Sequence, residues 1–231
     1  MLANHESIRM IELAEEGFSR TGVDHVYTGG ATVPLYLDDP AASMPRPTRD
    51  VDLIVRTKGK SGFYSLEQKL RESGFKNDIS IGAPICRWLF KDQKVDIMPV
   101  DETTLGFTNP WYASGWEASI TIELPSRRTI KILSLPYYLA SKMAAFLDRG
   151  KDDYMLSADL ADIIAVLDGQ LELDSILSAP ADVLGYLRLH LRKLSRKERF
   201  IESVYAQFTH DAVGSGRAKR IMDWIEGFVR G

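Results

Sequence analysis

The hydrophobic period of this chain changes once, near Ser134, and that change limits the folds open to it. Before it, apolar residues come in short β-rich runs at about 26–27, 51–55, 85–90, 94–98, 118–124 and 129–133, separated by Gly, Pro and charged turns. After it, helical spacing dominates at about 134–149, 154–168, 181–194, 196–208 and 216–229. No internal repeat or low-complexity tract interrupts either half. The expectation is an α+β chain, with an α/β core over residues 1–133 and a helical region over 134–231. Within the core, Ile8, Ile11, Leu13 and Phe18 mark a helix over about 5–20, and residues 31–37 read as helical. Residues 38–46 (DDPAASMPR) read as a loop, and 61–74 as a helix closed by Gly74. Lys91-Asp92-Gln93 reads as a hairpin turn between two strands.

One of those strands carries unusual chemistry. In Arg49-Asp50-Val51-Asp52-Leu53-Ile54, the two aspartates lie two residues apart and so share a face, with roughly 6.5–7 Å between them along the chain. Two like charges on one face repel, and a hard divalent cation removes that repulsion. The bland alternative is an exposed strand edge. Asp96, in Val95-Asp96-Ile97-Met98, sets a third carboxylate in an apolar strand, where aspartate is disfavoured without a partner. It reads either as a further metal ligand or as one half of a salt bridge to a nearby Arg or Lys. Upstream, Thr28-Gly29-Gly30-Ala31-Thr32 reads as strand, diglycine turn and helix start, which lets backbone approach a phosphate or simply turns the chain tightly.

Composition restricts the partners. A balance of 29 Lys+Arg against 32 Asp+Glu, net −3, gives no global nucleic-acid signature, so any such contact has to be local. The lone cysteine, Cys86, excludes an internal disulfide, and no Cys/His cluster points to zinc. The N-terminal stretch lacks the features of a signal peptide, and no run approaches the roughly 20 apolar residues of a membrane span. The expectation is a cytoplasmic protein with no membrane partner.

The order of these pieces (strand, Gly29-Gly30, helix, Asp50-x-Asp52 strand, lone Asp96 strand) resembles the nucleotidyltransferase signature of the DNA polymerase β superfamily. The run Arg46-x-Thr48-Arg49-Asp50-x-Asp52 is similar to the AbiEii/AbiGii toxin-type group of type IV toxin–antitoxin systems. So are Lys142-x-x-Ala145, Arg149-Gly150-x-x-Asp153 and Asp159-Leu160-x-Asp162. The resemblance covers about residues 20–170. It implies a polymerase β-like mixed sheet with flanking helices, and a helical C-terminal region that completes a nucleotide cleft. It implies Asp50, Asp52 and Asp96 as catalytic, metal-holding residues for Mg²⁺ or Mn²⁺. Gly29, Gly30, Thr32, Arg49 and Lys142 would bind a nucleoside triphosphate, with Arg46 adding positive charge. The reaction would move a nucleoside monophosphate to an RNA or protein hydroxyl, as the toxin of a pair with an antitoxin protein. A small-molecule, antibiotic-type acceptor and a non-catalytic nucleotide-binding module are the alternatives. One departure stands out: nineteen residues separate Gly30 from Asp50, a gap lengthened by DDPAASMPRP.

Read without the resemblance, Leu135, Leu139, Lys142, Phe146 and Arg149 share a helix face, so Lys142 must snorkel to water or find an acidic partner. Asp159 and Asp162 share another face and read as salt-bridge partners of Lys142, Arg149 or Lys151. Trp88 and Tyr154 read as packing residues. The basic residues Arg188, Arg192, Lys193, Arg196, Lys197, Arg199, Arg217, Lys219 and Arg220, with His190, form either a phosphate-gripping surface or solvated helix faces.

Overall fold

The computed structural model of the protein describes residues 5–150 and 153–231. The chain divides into two compact units, one formed by residues 1–35 and 47–138, the other by 36–46 and 139–231. The class is α+β, with a mixed sheet in the first unit and a helical C-terminal part.

The first unit is built on seven strands in the order β3-β4-β5-β2-β1-β7-β6. They are β1 (His25–Thr28), β2 (Asp50–Val55), β3 (Lys76–Asn77), β4 (Arg87–Phe90), β5 (Gln93–Pro99), β6 (Ile120–Glu123) and β7 (Thr129–Ile132). Strand β2 lies in the middle, antiparallel to β1 and parallel to β5. Its residues Val51, Leu53, Ile54 and Val55 are fully buried, as a central strand covered on both faces requires. Helix α1 (Glu6–Phe18) packs on β2, β4 and β5 through a buried stripe of Ile8, Ile11, Ala14 and Phe18. Leu13 is only half-buried, and Glu15 takes an inward position instead. That carboxylate is satisfied by the Tyr27 hydroxyl at 2.9 Å and His25 Nε2 at 2.7 Å.

Helix α2 (Gly59–Glu72) ends as its sequence suggests. Gly74 takes φ +96, its N–H donates to the Arg71 carbonyl at 3.1 Å, and the Phe75 N–H donates to the Leu70 carbonyl at 2.9 Å, a Schellman cap. The β4–β5 hairpin closes on two residues, Lys91 and Asp92, both with positive φ, as a type I′ turn needs. Three short elements carry no sequence period long enough to announce them: β3, α3 (Glu102–Leu105) and α4 (Tyr112–Glu117). Residues 31–37 do turn helically, but as a 3₁₀ segment, Gly30–Tyr36, that contains Pro34.

Helix α5 (Leu135–Arg149) leads into the second unit, followed by α6 (Ala158–Gly169), α7 (Ala181–Leu194), α8 (Glu198–Ala206) and α9 (Ala212–Arg230). Helices α6, α7 and α8 all pack on α9. Two starts have clear causes. The Ser157 hydroxyl accepts from the Leu160 N–H at 3.3 Å and opens α6, and Asp211 accepts from the Gly214 N–H at 2.7 Å and opens α9.

The long stretch between Gly30 and Asp50 does not belong wholly to the sheet unit. Residues 36–46 pack with the helices, so a simple cut at 133/134 does not describe the division. The Asp38 and Asp39 N–H groups both donate to the Gly169 carbonyl at 2.9 Å, and the Ser43 N–H donates to Asp168 at 3.3 Å. Arg217 bridges Asp39 at 2.8 Å and Asp168 at 2.6 Å, and Arg46 reaches Asp162 at 2.8 Å. Asp168 is 1% exposed, so this bridging is what makes its charge tolerable.

Candidate functional site

The β2–β5 pairing brings the three acids onto one face. Its register sets Asp52 opposite Asp96 and Asp50 opposite Lys94. Asp50 and Asp52 share a face because side chains alternate along a strand. The same cross-strand row continues outward on both sides, to Thr28 on β1 and to Arg87 on β4. Arg87, Asp96, Asp52 and Thr28 therefore stand abreast across four adjacent strands.

Arg87 is the cation of this row, and it is the residue that the sequence motif leaves out. Its Nε donates to Asp96 Oδ1 at 2.7 Å and its Nη2 to Asp96 Oδ2 at 2.8 Å, a forked pair. The same Nη2 donates to Asp50 Oδ2 at 2.9 Å. Hydrogen bonding to Asp96, with the Asp96 and Asp50 charges behind it, raises the guanidinium pKa still further, against the effect of burial. The Thr48 hydroxyl donates to the other Asp50 oxygen, Oδ1, at 3.0 Å. The salt-bridge reading of Asp96 is thus realised, with Arg87 as the partner. A signal for it exists in the sequence. A two-residue turn at Lys91-Asp92 pairs Phe90 with Gln93, and counting back places Arg87 opposite Asp96.

The diglycine turn abuts the same row. Gly29 sits at φ +77, and a Cβ there would lie 1.9 Å from Asp52 Oδ2. Only a residue without a side chain leaves that carboxylate its place. The Gly29 carbonyl accepts from the Thr32 hydroxyl at 2.9 Å and from the Tyr138 hydroxyl at 3.3 Å. Thr32 is fully buried, so in this structure it ties down the turn and does not present its hydroxyl outward. Gly30 is buried at the start of the 3₁₀ segment, and Arg49 is exposed. Cys86, beside the acids, has its thiol pushed up to about 12 by burial first and by Asp96 and Asp52 second, so it is a protonated thiol and not a nucleophile at neutral pH.

In kind, the donors fit a hard divalent ion: three carboxylates on one face, with room kept by Gly29. In placement, Arg87 spans two of them, and among the described residues no group of three His, Cys, Asp or Glu side chains is arranged to hold a metal. Asp50, Asp52 and Asp96 would hold such an ion once Arg87 released Asp50 and Asp96.

The remaining candidates lie in the helical unit. Lys142 is nearly buried, 2.7 Å from Asp162 Oδ2 and 3.2 Å from Asp159 Oδ1. Arg149 adds a forked pair to Asp159 at 2.8 and 3.0 Å. Burial alone would raise the Asp159 pKa, but Arg149 and Lys142 outweigh it and hold it below the usual carboxylate value. The stripe lysine has therefore found acidic partners. Lys151 and Asp152 of the same motif lie outside the described residues. Several basic side chains of the C-terminal half are also committed locally. Arg188 donates to the Phe228 carbonyl at 3.1 Å, Arg192 to the Val229 carbonyl, and Arg220 to the Gln170 carbonyl at 3.0 Å. His190 packs against Tyr186, and Tyr154 against Phe146, while Trp88 is buried in the sheet unit under Arg71. No helix of the described residues is long and apolar enough to cross a membrane. No protein-family model matches the chain, and no curated protein matches it in sequence.

Proposed function

We propose that the acid row is the catalytic centre of a metal-dependent nucleotidyltransferase, built on a polymerase β-like sheet. The supporting observation is the register of two central parallel strands, which sets Asp52 abreast of Asp96, with Asp50 on the same face and the Gly29 turn against Asp52. Bound Mg²⁺ or Mn²⁺ would neutralise phosphate charge and favour the deprotonated acceptor hydroxyl. Asp50 and Asp52 would hold the ion that travels with the nucleoside triphosphate, and Asp96 would complete a second metal site and help to take the acceptor proton. The acceptor oxygen attacks the α-phosphorus in line, and pyrophosphate leaves. In such reactions positioning and charge neutralisation supply most of the rate. The central strands suit that demand, because they hold the carboxylates on rigid backbone.

The acceptor class follows from the family resemblance: an RNA or protein hydroxyl, with the chain acting as the toxin of a toxin–antitoxin-like pair. The test is label transfer from α-labelled nucleoside triphosphates, with Mg²⁺, to cellular RNA or protein. Transfer by the native chain and its loss in Asp50→Asn is the expected outcome. Equal transfer by the variant, or none by the native chain to RNA, protein or an aminoglycoside, removes the proposal. One observation favours a non-catalytic module instead: Arg87 satisfies Asp50 and Asp96 with no ion needed. Calorimetry separates the two, since that reading requires no Mg²⁺-dependent nucleotide binding.

A further inference from the structure

Arg87 lies where the proposed reaction needs a metal ion. Its guanidinium makes three charge-assisted hydrogen bonds of 2.7 to 2.9 Å, two to Asp96 and one to Asp50, and its side chain is 16% exposed. Mg²⁺ would need carboxylate oxygens of the same two residues at about 2.0–2.1 Å. One set of facing lone pairs cannot serve both cations, and the two positive charges repel across a partly buried site. The backbone allows the side chain to leave without unravelling the strand. Arg87 is the first residue of β4, and its N–H donates to the Pro84 carbonyl at 2.9 Å while its carbonyl accepts from the Asp78 N–H at 3.2 Å. Those anchors are main chain, and swinging the guanidinium out breaks neither.

We infer that Arg87 is a positioning residue that acts as a resident counter-cation. It holds Asp50 and Asp96 face to face while no metal is bound, and divalent metal binds only by displacing it. The inference rests on the metal-dependent reading above. It accounts for how three carboxylates can cluster on central strands before an ion binds. Metal loading then becomes an exchange, weaker than the bare acids would give, and the freed guanidinium stays tethered beside the place where a phosphate would lie.

Three full-length chains decide the matter by Mn²⁺ titration calorimetry: native, Arg87→Gln and Arg87→Lys. Arg87→Gln should bind Mn²⁺ at least about tenfold more tightly than native, which is about 1.4 kcal/mol, near the low end for charge-assisted pairing. Its metal-free thermal midpoint should fall below native, and millimolar Mg²⁺ should narrow the gap. Arg87→Lys, which keeps the charge but loses the fork, should lie between. In the native chain, the Arg87 Nε–H resonance, protected from exchange by Asp96, should lose protection as Mg²⁺ is added. This last measurement decides even if Arg87→Gln does not fold. An equal or weaker Mn²⁺ affinity in a folded Arg87→Gln, or an Nε–H unmoved by saturating Mg²⁺, overturns the counter-cation role and leaves the metal reading standing. No Mn²⁺ binding by any of the three chains overturns both.

Discussion

Replacing Gly29 with alanine tests how tightly the diglycine turn is fitted to the acid row. Two penalties add. The first is conformational: at φ +77 an L-residue sits in the left-handed region, at roughly 1–2 kcal/mol. The second is steric. The new methyl would lie 1.9 Å from Asp52 Oδ2, 2.5 Å from its Cγ and 2.7 Å from its Cβ. Asp52 stands on a buried central strand, so it has little freedom to retreat, and overpacking of this kind costs roughly 1–3 kcal/mol. The expected loss is the sum, roughly 2–5 kcal/mol, a large fraction of the typical stability of a domain. Gly22 supplies the internal control. It too has positive φ, +63, but a Cβ there meets nothing within 4 Å. Gly22→Ala should therefore show the conformational penalty alone, roughly 1–2 kcal/mol. Urea denaturation of the two variants measures the difference directly as a midpoint shift at constant slope. Adding Asp52→Ala to Gly29→Ala removes the two nearest clashing atoms and should recover part of the loss. If Gly29→Ala is no more destabilised than Gly22→Ala, or Asp52→Ala recovers nothing, the packing of that carboxylate against the turn has no energetic meaning.

In the helical unit, Lys142→Met should lower stability by roughly 3 kcal/mol, because it removes one cation from two buried carboxylates; a loss in thermal unfolding below about 1 kcal/mol would mean that Arg46 and Arg149 suffice alone. Asp159, held below its ordinary 3.8, stabilises the fold in full above that value and loses its contribution as pH falls below it and through the lower folded-state pKa. Acid denaturation should therefore steepen below about pH 4, and Asp159→Asn should flatten that limb; an unchanged limb would refute the role given to Arg149 and Lys142. Cys86, with its thiol near 12 and its side chain buried, should react with a disulfide reagent at neutral pH only as fast as the chain opens. Rapid labelling of the native protein would contradict that environment.

Much of this organisation was legible in the sequence because local physics carries it. The apolar run at 51–55, the 3.6-residue spacing of α5 to α9 and the Gly74 stop each depend on neighbours within a few residues. The ion-pair reading of Asp159 and Asp162 was legible for the same reason, since one helix turn joins them. What escaped depends on pairing across the chain. Arg87 gains meaning only once β4 is registered on β5 and β5 on β2, a result of strand order that no motif states. Thr32 lies in the expected turn, but the direction of its hydroxyl is set by the Gly29 carbonyl and by burial, which the motif does not specify. Helices α3 and α4 are too short to show a period. Residues 36–46 look like any polar loop; their attachment to the helices is made by Asp168, Gly169 and Arg217, more than a hundred residues away.

That attachment bears on how the protein is made. Helical units usually close through contacts between near neighbours and fold fast. This one is closed in part by pairs 116 residues apart, Arg46 with Asp162, and 178 apart, Asp39 with Arg217. At about 5–20 residues per second of synthesis, Asp39 waits roughly 9–36 s after leaving the ribosome before Arg217 exists to meet it. Until Asp162, Asp168 and Gly169 are made, partway through that interval, the strap 36–46 hangs from a growing chain whose sheet strands are all complete by residue 132.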